Sequence, residues 1–274
     1  LWKIQSSSNL EPLTPVNAHA RRASERGGAS VPPAIVDDSV VFVSPTRRKV
    51  FRGAFSLNRE SYVVEDLTLL ADHLTASGIR QLAWSLEPMG ILWAVTEDGR
   101  LLGLTLDSQQ EIAAWHVHPV GGTDARVESV CVITAPDGTP SLGAHENLRH
   151  DQLWVVVART VNGVERRSVE FLEDYFPDEV ALEHGFFVDG GLSYTGAPAT
   201  VISGLDHLEG ETVQVLADGS DVGDHVVTAG AITLAAPAER VHAGLGYLSR
   251  VRNLRLEVGD AQGSSQGKTK RIDH

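Results

Sequence analysis

The sequence predicts an all-β chain: a partial β-propeller of antiparallel blades with one short helix, followed by a second small β-barrel or sandwich domain. Three observations predict it. One apolar strand, turn and alternating return strand recurs three times, at SVVFVSPTRRKVFRGAFS (39 to 56), GILWAVTEDGRLLGLTLD (90 to 107) and QLWVVVARTVNGVERRSVEFL (152 to 172). The turns carry Asp98-Gly99 and Asn162-Gly163, dipeptides that supply the positive φ angles of tight hairpins. Beyond Phe176-Pro177 a Gly- and Val-rich stretch of short strands follows.

In chain order, residues 1–34 hold Ser6 to Ser8, Pro12, Pro15, Gly27, Gly28, Pro32 and Pro33, with Arg21, Arg22 and Arg26 between them. This composition reads as an extended N-terminal arm, either a loose tail or a strap along a neighbouring surface. Residues 35–185 hold the blades. The second and third hairpins are each preceded by another alternating run, IRQLAWSL (79 to 86) and VESVCVIT (127 to 134), and EIAAWHVHPV (111 to 120) follows the second. Three or four antiparallel strands recurring every 50 or 60 residues or so resemble propeller blades stretched by insertions. Two blades read as good and one as partial, so the ring is expected to be incomplete.

VEDLTLLADHLTASGI places Leu67, Leu70, Ala71 and Leu74 at helical spacing, with Asp66 or Thr68 as N-cap and Gly78 as the stop. Residues 135–151 read as a polar surface loop. Residues 186–258 form the second unit: LEGETVQVLADGS (208 to 220) ends in an Asp218-Gly219 turn, HVVTAGAITLA (225 to 235) holds two short strands, and RNLRLEV (252 to 258) closes it. Residues 259–274 read as a C-terminal linker leading to the start of another strand.

Composition narrows function. Of 274 residues 42% are apolar, enough for a proper core. Against 36 Asp and Glu stand 23 Lys and Arg, a net charge of −13, which argues against nonspecific nucleic-acid binding by a basic surface. The single Cys131 can form neither an internal disulfide nor a thiolate cluster. No apolar run approaches membrane-span length. Met89 is the only methionine, so the chain is expected to be cut from something longer.

The candidate chemical clusters each have a structural counterpart. His116 and His118 share one strand face at metal-bridging spacing, but no third ligand matches them. His145, Glu146, His150 and Asp151 could hold a metal in a loop that otherwise reads as polar surface. Asp218, Asp221 and Asp224 have calcium-like oxygen density without the bidentate glutamate of a calcium loop, and read as a hairpin tip. Glu170, Glu173, Asp174, Asp178 and Glu179 could pair for acid/base work, or lie solvated at a strand end. Cys131 reads as a buried small hydrophobe. Trp84, Trp93, Trp115 and Trp154 read as inter-blade packing, with a sugar platform as the alternative. No nucleophile elbow, P-loop, dinucleotide fingerprint or zincin motif occurs, so no catalytic, cofactor or metal residue is assigned.

The order of segments resembles the tail nozzle proteins of short-tailed bacteriophages, also called tail tubular protein B or phage stabilisation proteins. The resemblance is carried by LWKIQSSSNLEPLTPVNAHARRAS, by VPPAIVDDSVVFVSPTRRKVFRGAFS, and above all by the block from Tyr62 to His118, with DLTLLADHLT and LWAV…DG…LLGLT…EIAAWH in order. VESVCVIT, DQLWVVVARTVNG, VEFLEDYF, GLDHLEGETVQVLADG and GKTKRI continue it. The resemblance implies a non-enzymatic virion protein, made in the bacterial cytoplasm, that self-associates into a ring, typically a hexamer. It implies contacts with an adaptor and other tail proteins, and DNA passing through the lumen at ejection without tight binding. The 186–258 unit is similar to the small inserted β-domain of that family, itself like the barrel of the first catalytic-cysteine half-domain of ubiquitin-activating enzymes. Two alternatives stay open on residues alone: a receptor- or glycan-binding surface module, and a propeller glycosidase.

Overall fold

The computed structural model describes residues 1–6, 11–107, 110–135, 150–173, 176 and 180–252. Among these residues the architecture is all-β, with five antiparallel sheets. Within the arm, β1 (Trp2–Gln5) pairs with β2 (His19–Arg22) as a two-stranded ribbon. Three meanders follow. The first sheet runs β3 (Ala34–Val36), β4 (Ser39–Val43), β5 (Val50–Ser56), β6 (Ser61–Asp66). The second runs β7 (Ile79–Ser85), β8 (Ile91–Thr96), β9 (Leu101–Asp107), β10 (Ile112–His118). The third runs β11 (Thr123–Thr134), β12 (Asp151–Val161), β13 (Val164–Phe171).

The hairpin tips form as their residues dictate. Gly99 has φ +82°, and Asn162 and Gly163 have φ +47° and +73°, the left-handed pair that a tight turn needs. The first sheet, expected as a bare hairpin, has four strands. β3 is three residues long and β6 carries Ser61, Glu65 and Asp66, so neither shows strong alternation.

The expected helix over 66–78 is absent. The chain there makes successive i to i+3 turns, with the Ala71, Leu74 and Gly78 N–H groups donating to the carbonyls of Thr68, Ala71 and Thr75. Asp66 Oδ1 accepts from the Thr68 N–H, as a cap would. Thr68 Oγ1 also accepts from the Val50 N–H, and Thr75 Oγ1 donates to the Arg48 carbonyl at 2.6 Å. Both threonines thus tie the segment to the first sheet at the expense of a helical ladder. Leu67 and Ala71 are buried while Leu70 is 93% exposed, so the apparent stripe is not one face. The helical turns among the described residues are 3₁₀ and span Leu57–Arg59, Leu182–His184 and Asp206–Leu208.

The meanders stack face to face. Val36, Val41, Val43 and Val50 of the first sheet meet Ile79, Leu92, Ala94, Leu102 and Leu104 of the second. On the opposite face of the second sheet, Trp93, Val95 and Leu101 meet Val127, Val130, Leu153, Val155 and Val157 of the third. β8 therefore sends alternate side chains into two cores. Each fully buried aliphatic side chain contributes about 1.5–3 kcal/mol, so the two seams hold the stack together.

The last sheet has its own core. β14 (Asp189–Ser203), β15 (Thr212–Ala217), β16 (Ser220–Val226) and β17 (Ala231–Leu245) pair in the order β14-β17-β15-β16. Ile202, Leu205, Val213, Ile232, Val241 and Ala243 are buried together in it. The stretch 225–235 is the end of β16 and the start of β17. RNLRLEV, the 259–274 tail and most of the 135–151 loop lie outside the described residues.

Candidate functional site

The seams show a repeated construction. The Ile79 N–H, opening the second sheet, donates to the Arg47 carbonyl at the first sheet's hairpin tip at 2.8 Å. The Val127 N–H of the third sheet donates to the Gly99 carbonyl at the second sheet's tip, also at 2.8 Å. At the third tip the Asn162 N–H donates to Glu211 Oε1, just before β15, at 2.8 Å. Side chains reinforce both seams. Arg47 pairs with Glu97, and the Trp115 indole donates to the Leu67 carbonyl at 2.8 Å. Gln81 acts like a strand residue: its amide donates to the Val130 carbonyl at 2.6 Å and accepts from the Val130 N–H at 3.2 Å. Asp151 Oδ2 accepts from the Leu86 N–H at 2.7 Å, and Oδ1 from the Thr134 hydroxyl at 2.9 Å.

The tryptophans follow this plan. Trp84 and Trp115 pack against the first seam and Trp93 lies in the second. Trp154 stacks on Phe171 with ring centroids 5.3 Å apart, on the far face of the third sheet.

Other singled-out residues are dispersed. His116 and His118 do share a face, with Nδ1 and Nε2 2.8 Å apart and both rings edge-on to Trp93. Gly103 on the neighbouring strand leaves the room that the His116 ring fills. Burial, with the His116 charge behind it, pushes His118 down to about 4, and burial lowers His116 as well. Both rings are thus held toward the neutral form, in which an N–H of one can donate to the ring nitrogen of the other. No group of three or more His, Cys, Asp or Glu suited to a metal exists among the described residues. His145 and Glu146 lie outside them, as do Asp174, Asp178 and Glu179. Asp218 accepts from the Glu239 and Arg240 N–H groups, and Asp221 from the Gly223 N–H, so both serve the hairpin tip. Cys131 is exposed, contrary to expectation. It faces Trp154 across the register, while its neighbours Val130 and Val132 take the seam side.

A cavity of about 770 Å³ opens where the second and third sheets meet the start of β14. Trp93, His118, Phe171, Phe186, Phe187 and Tyr247 line it beside Glu170 and Asp189. Its wall is organised by Arg159, 3% exposed, which sequence reasoning missed. Arg159 donates to the Gly121 carbonyl at 3.1 Å, to Ser168 Oγ, and through both terminal nitrogens to Glu170. An arginine at an inward position of the run LWVVVARTV was the available signal. Asp189 Oδ2 accepts from the Gly121 N–H at 2.6 Å. Burial pushes the Asp189 carboxyl up, against the pull of that N–H and of Arg159, and burial beside Asp189 raises the Tyr247 phenol. These groups join the third sheet to the last sheet through fixed polar contacts.

Among the described residues, no helix is long and apolar enough to cross a membrane. No protein-family model matches the chain, and no curated protein matches it either.

Proposed function

We propose that this chain is a structural, non-enzymatic part of a bacteriophage tail nozzle. In this reading the three stacked sheets are successive blades of an incomplete β-propeller, and the last sheet is the small inserted β-domain. The observation that carries the reading is the repeated seam: twice, the central hairpin tip of one meander accepts the first-strand N–H of the next at 2.8 Å. The same kind of bond, hairpin tip to the first strand of the next sheet, recurs at both junctions, as expected of a radially repeated unit.

Two further features support a mechanical role. Trp84 and Trp115 pack against the first seam, and Trp93, which also borders the cavity, is 4% exposed within the second. Glu170, one of the acidic cluster singled out for acid/base chemistry, is engaged by Arg159 and Ser168. Self-association into a ring, contact with an adaptor and residence in the virion belong to the same proposal.

The net charge of −13 suits a duct. Lysine and arginine contacts would hold DNA through counterion release, whereas an acidic wall lets a polyanion pass. The test is a biosensor surface carrying the immobilised protein, over which duplex DNA flows at salt from about 50 to 200 mM. Negligible retention is expected throughout. Tight retention at physiological salt would overturn the conduit reading.

A further inference from the structure

The cavity where the second and third sheets meet the start of β14 measures about 770 Å³, within the range of roughly 300–1,000 Å³ usual for small-molecule sites. Two kinds of side chain give its wall a distinct chemistry. Six are aromatic: Trp93, Phe171, Phe176, Phe186, Phe187 and Tyr247. Trp93 is buried, and its indole N–H donates to Ser85 Oγ at 3.3 Å. Phe187 packs edge-on against Phe176 with ring centroids 5.3 Å apart. Phe171, Phe187 and Tyr247 are nevertheless 47%, 46% and 40% exposed, so much of their ring surface stays open.

The other kind is acidic. Among the described residues that line the cavity stand five carboxylates, Glu87, Asp151, Glu170, Glu173 and Asp189, and neither lysine nor arginine. Arg159 lies behind the wall, where both terminal nitrogens answer Glu170. Asp189 and Asp151 are met by neutral donors: the Gly121 N–H for the first, the Leu86 N–H and the Thr134 hydroxyl for the second. A neutral donor orients a carboxylate without cancelling its charge. His118 supplies no cation near neutral pH, because burial lowers it to about 4. His207 is tied through Nε2 to the Gly190 carbonyl at 2.6 Å.

We propose that this cavity binds a small organic cation, an ammonium group carrying methyl or other apolar substituents. Aromatic faces attract such a cation through the ring quadrupole, and carboxylates attract it through charge. Other ligand classes match only part of the wall. A phosphate or sulfate is repelled by the carboxylates. A metal ion needs several converging ligands, and no group of three or more His, Cys, Asp or Glu suited to one exists among the described residues. A neutral apolar molecule fills the space and leaves the Asp189 charge unanswered. Burial already works against that charge, and a bound cation offsets the loss. Such a site needs no reaction, and it stands whether or not the protein belongs to a virion.

Isothermal titration calorimetry on the full chain tests this with choline and with 3,3-dimethylbutan-1-ol, which has the same shape and no charge. Choline should bind with a dissociation constant on the order of 1 mM or tighter, and the neutral alcohol at least about tenfold more weakly. Tyr247→Leu keeps bulk and removes the ring quadrupole, while Asp189→Asn keeps an acceptor for the Gly121 N–H and removes the charge. Each should raise the choline dissociation constant about fivefold to tenfold. Phe55→Leu removes a ring of similar exposure from the first sheet, and should bind choline as the wild type does. Absence of choline binding up to about 50 mM overturns the proposal. Equal binding of the alcohol, or indifference to both cavity substitutions, overturns it as well. Melting temperatures close to that of the wild type show that the variants fold.

Discussion

The second and third sheets are the same meander with different surroundings. In the second, β8 is buried at five of six positions because it has a neighbouring sheet on each face. In the third, β13 reads exposed or half-exposed along its whole length, and β12 is consistently buried only on its seam side. Covering both faces requires apolar residues at successive positions, whereas covering one permits a polar alternate. β13 obeys the second rule, with Glu165 and Arg167 outward. β12 carries the residues of the first rule, although among the described residues only its seam side is covered by a neighbouring sheet.

The largest effect should come from cutting into a doubly covered sheet. Leu92→Ala or Leu104→Ala, each at a site with 0% exposure, should cost about 2–5 kcal/mol in urea denaturation. Val169→Ala on the open face should stay within about 0.5 kcal/mol under dilute conditions. Equal costs would erase the distinction between the sheets.

Acid should weaken the second sheet next. His118 is pushed down to about 4 from an ordinary value near 6.5, so between those values the folded chain binds fewer protons than the unfolded one. Its contribution is therefore intact above about pH 6.5 and lost as pH falls toward 4, at most about 3 kcal/mol. His118→Gln should flatten the acid limb of a plot of Tm against pH.

The polar clamps of the seam come third. Gln81→Leu removes the partner of both the Val130 N–H and its carbonyl and should cost about 1–3 kcal/mol. A calorimetric melt would show it. The smallest effect is at the junction with the last sheet. Burial raises the Asp189 carboxyl, so the folded form binds more protons than the unfolded one and stability falls as pH rises through that range. Asp189→Asn keeps an oxygen for the Gly121 N–H, and should raise the melting temperature slightly at neutral pH with no gain in strong acid.

Much of this arrangement is legible from residues alone, because hairpins are local. Asp98-Gly99 and Asn162-Gly163 announce their turns, and the runs on either side set the strands. β3 and β6 escape notice because three residues, or six that are mostly polar, carry little pattern. The helix expected at 66–78 fails because Thr68 and Thr75 bond the neighbouring sheet, a tertiary contact that spacing cannot reveal. Cys131 illustrates the limit of alternation, which separates two faces without saying which is covered. The pairing order β14-β17-β15-β16 and the Arg159, Glu170 and Asp189 junction depend on contacts distant in sequence, so no local signal encodes them.

The most direct test of the account is immunogold electron microscopy, with an antibody to this chain, on phage particles purified from cells that carry its gene. Label confined to the tail, below the head-to-tail junction, is the expected result. Purified particles that bear no label, with the protein found only in the soluble lysate, would contradict the proposal that the chain is a mechanical part of a virion.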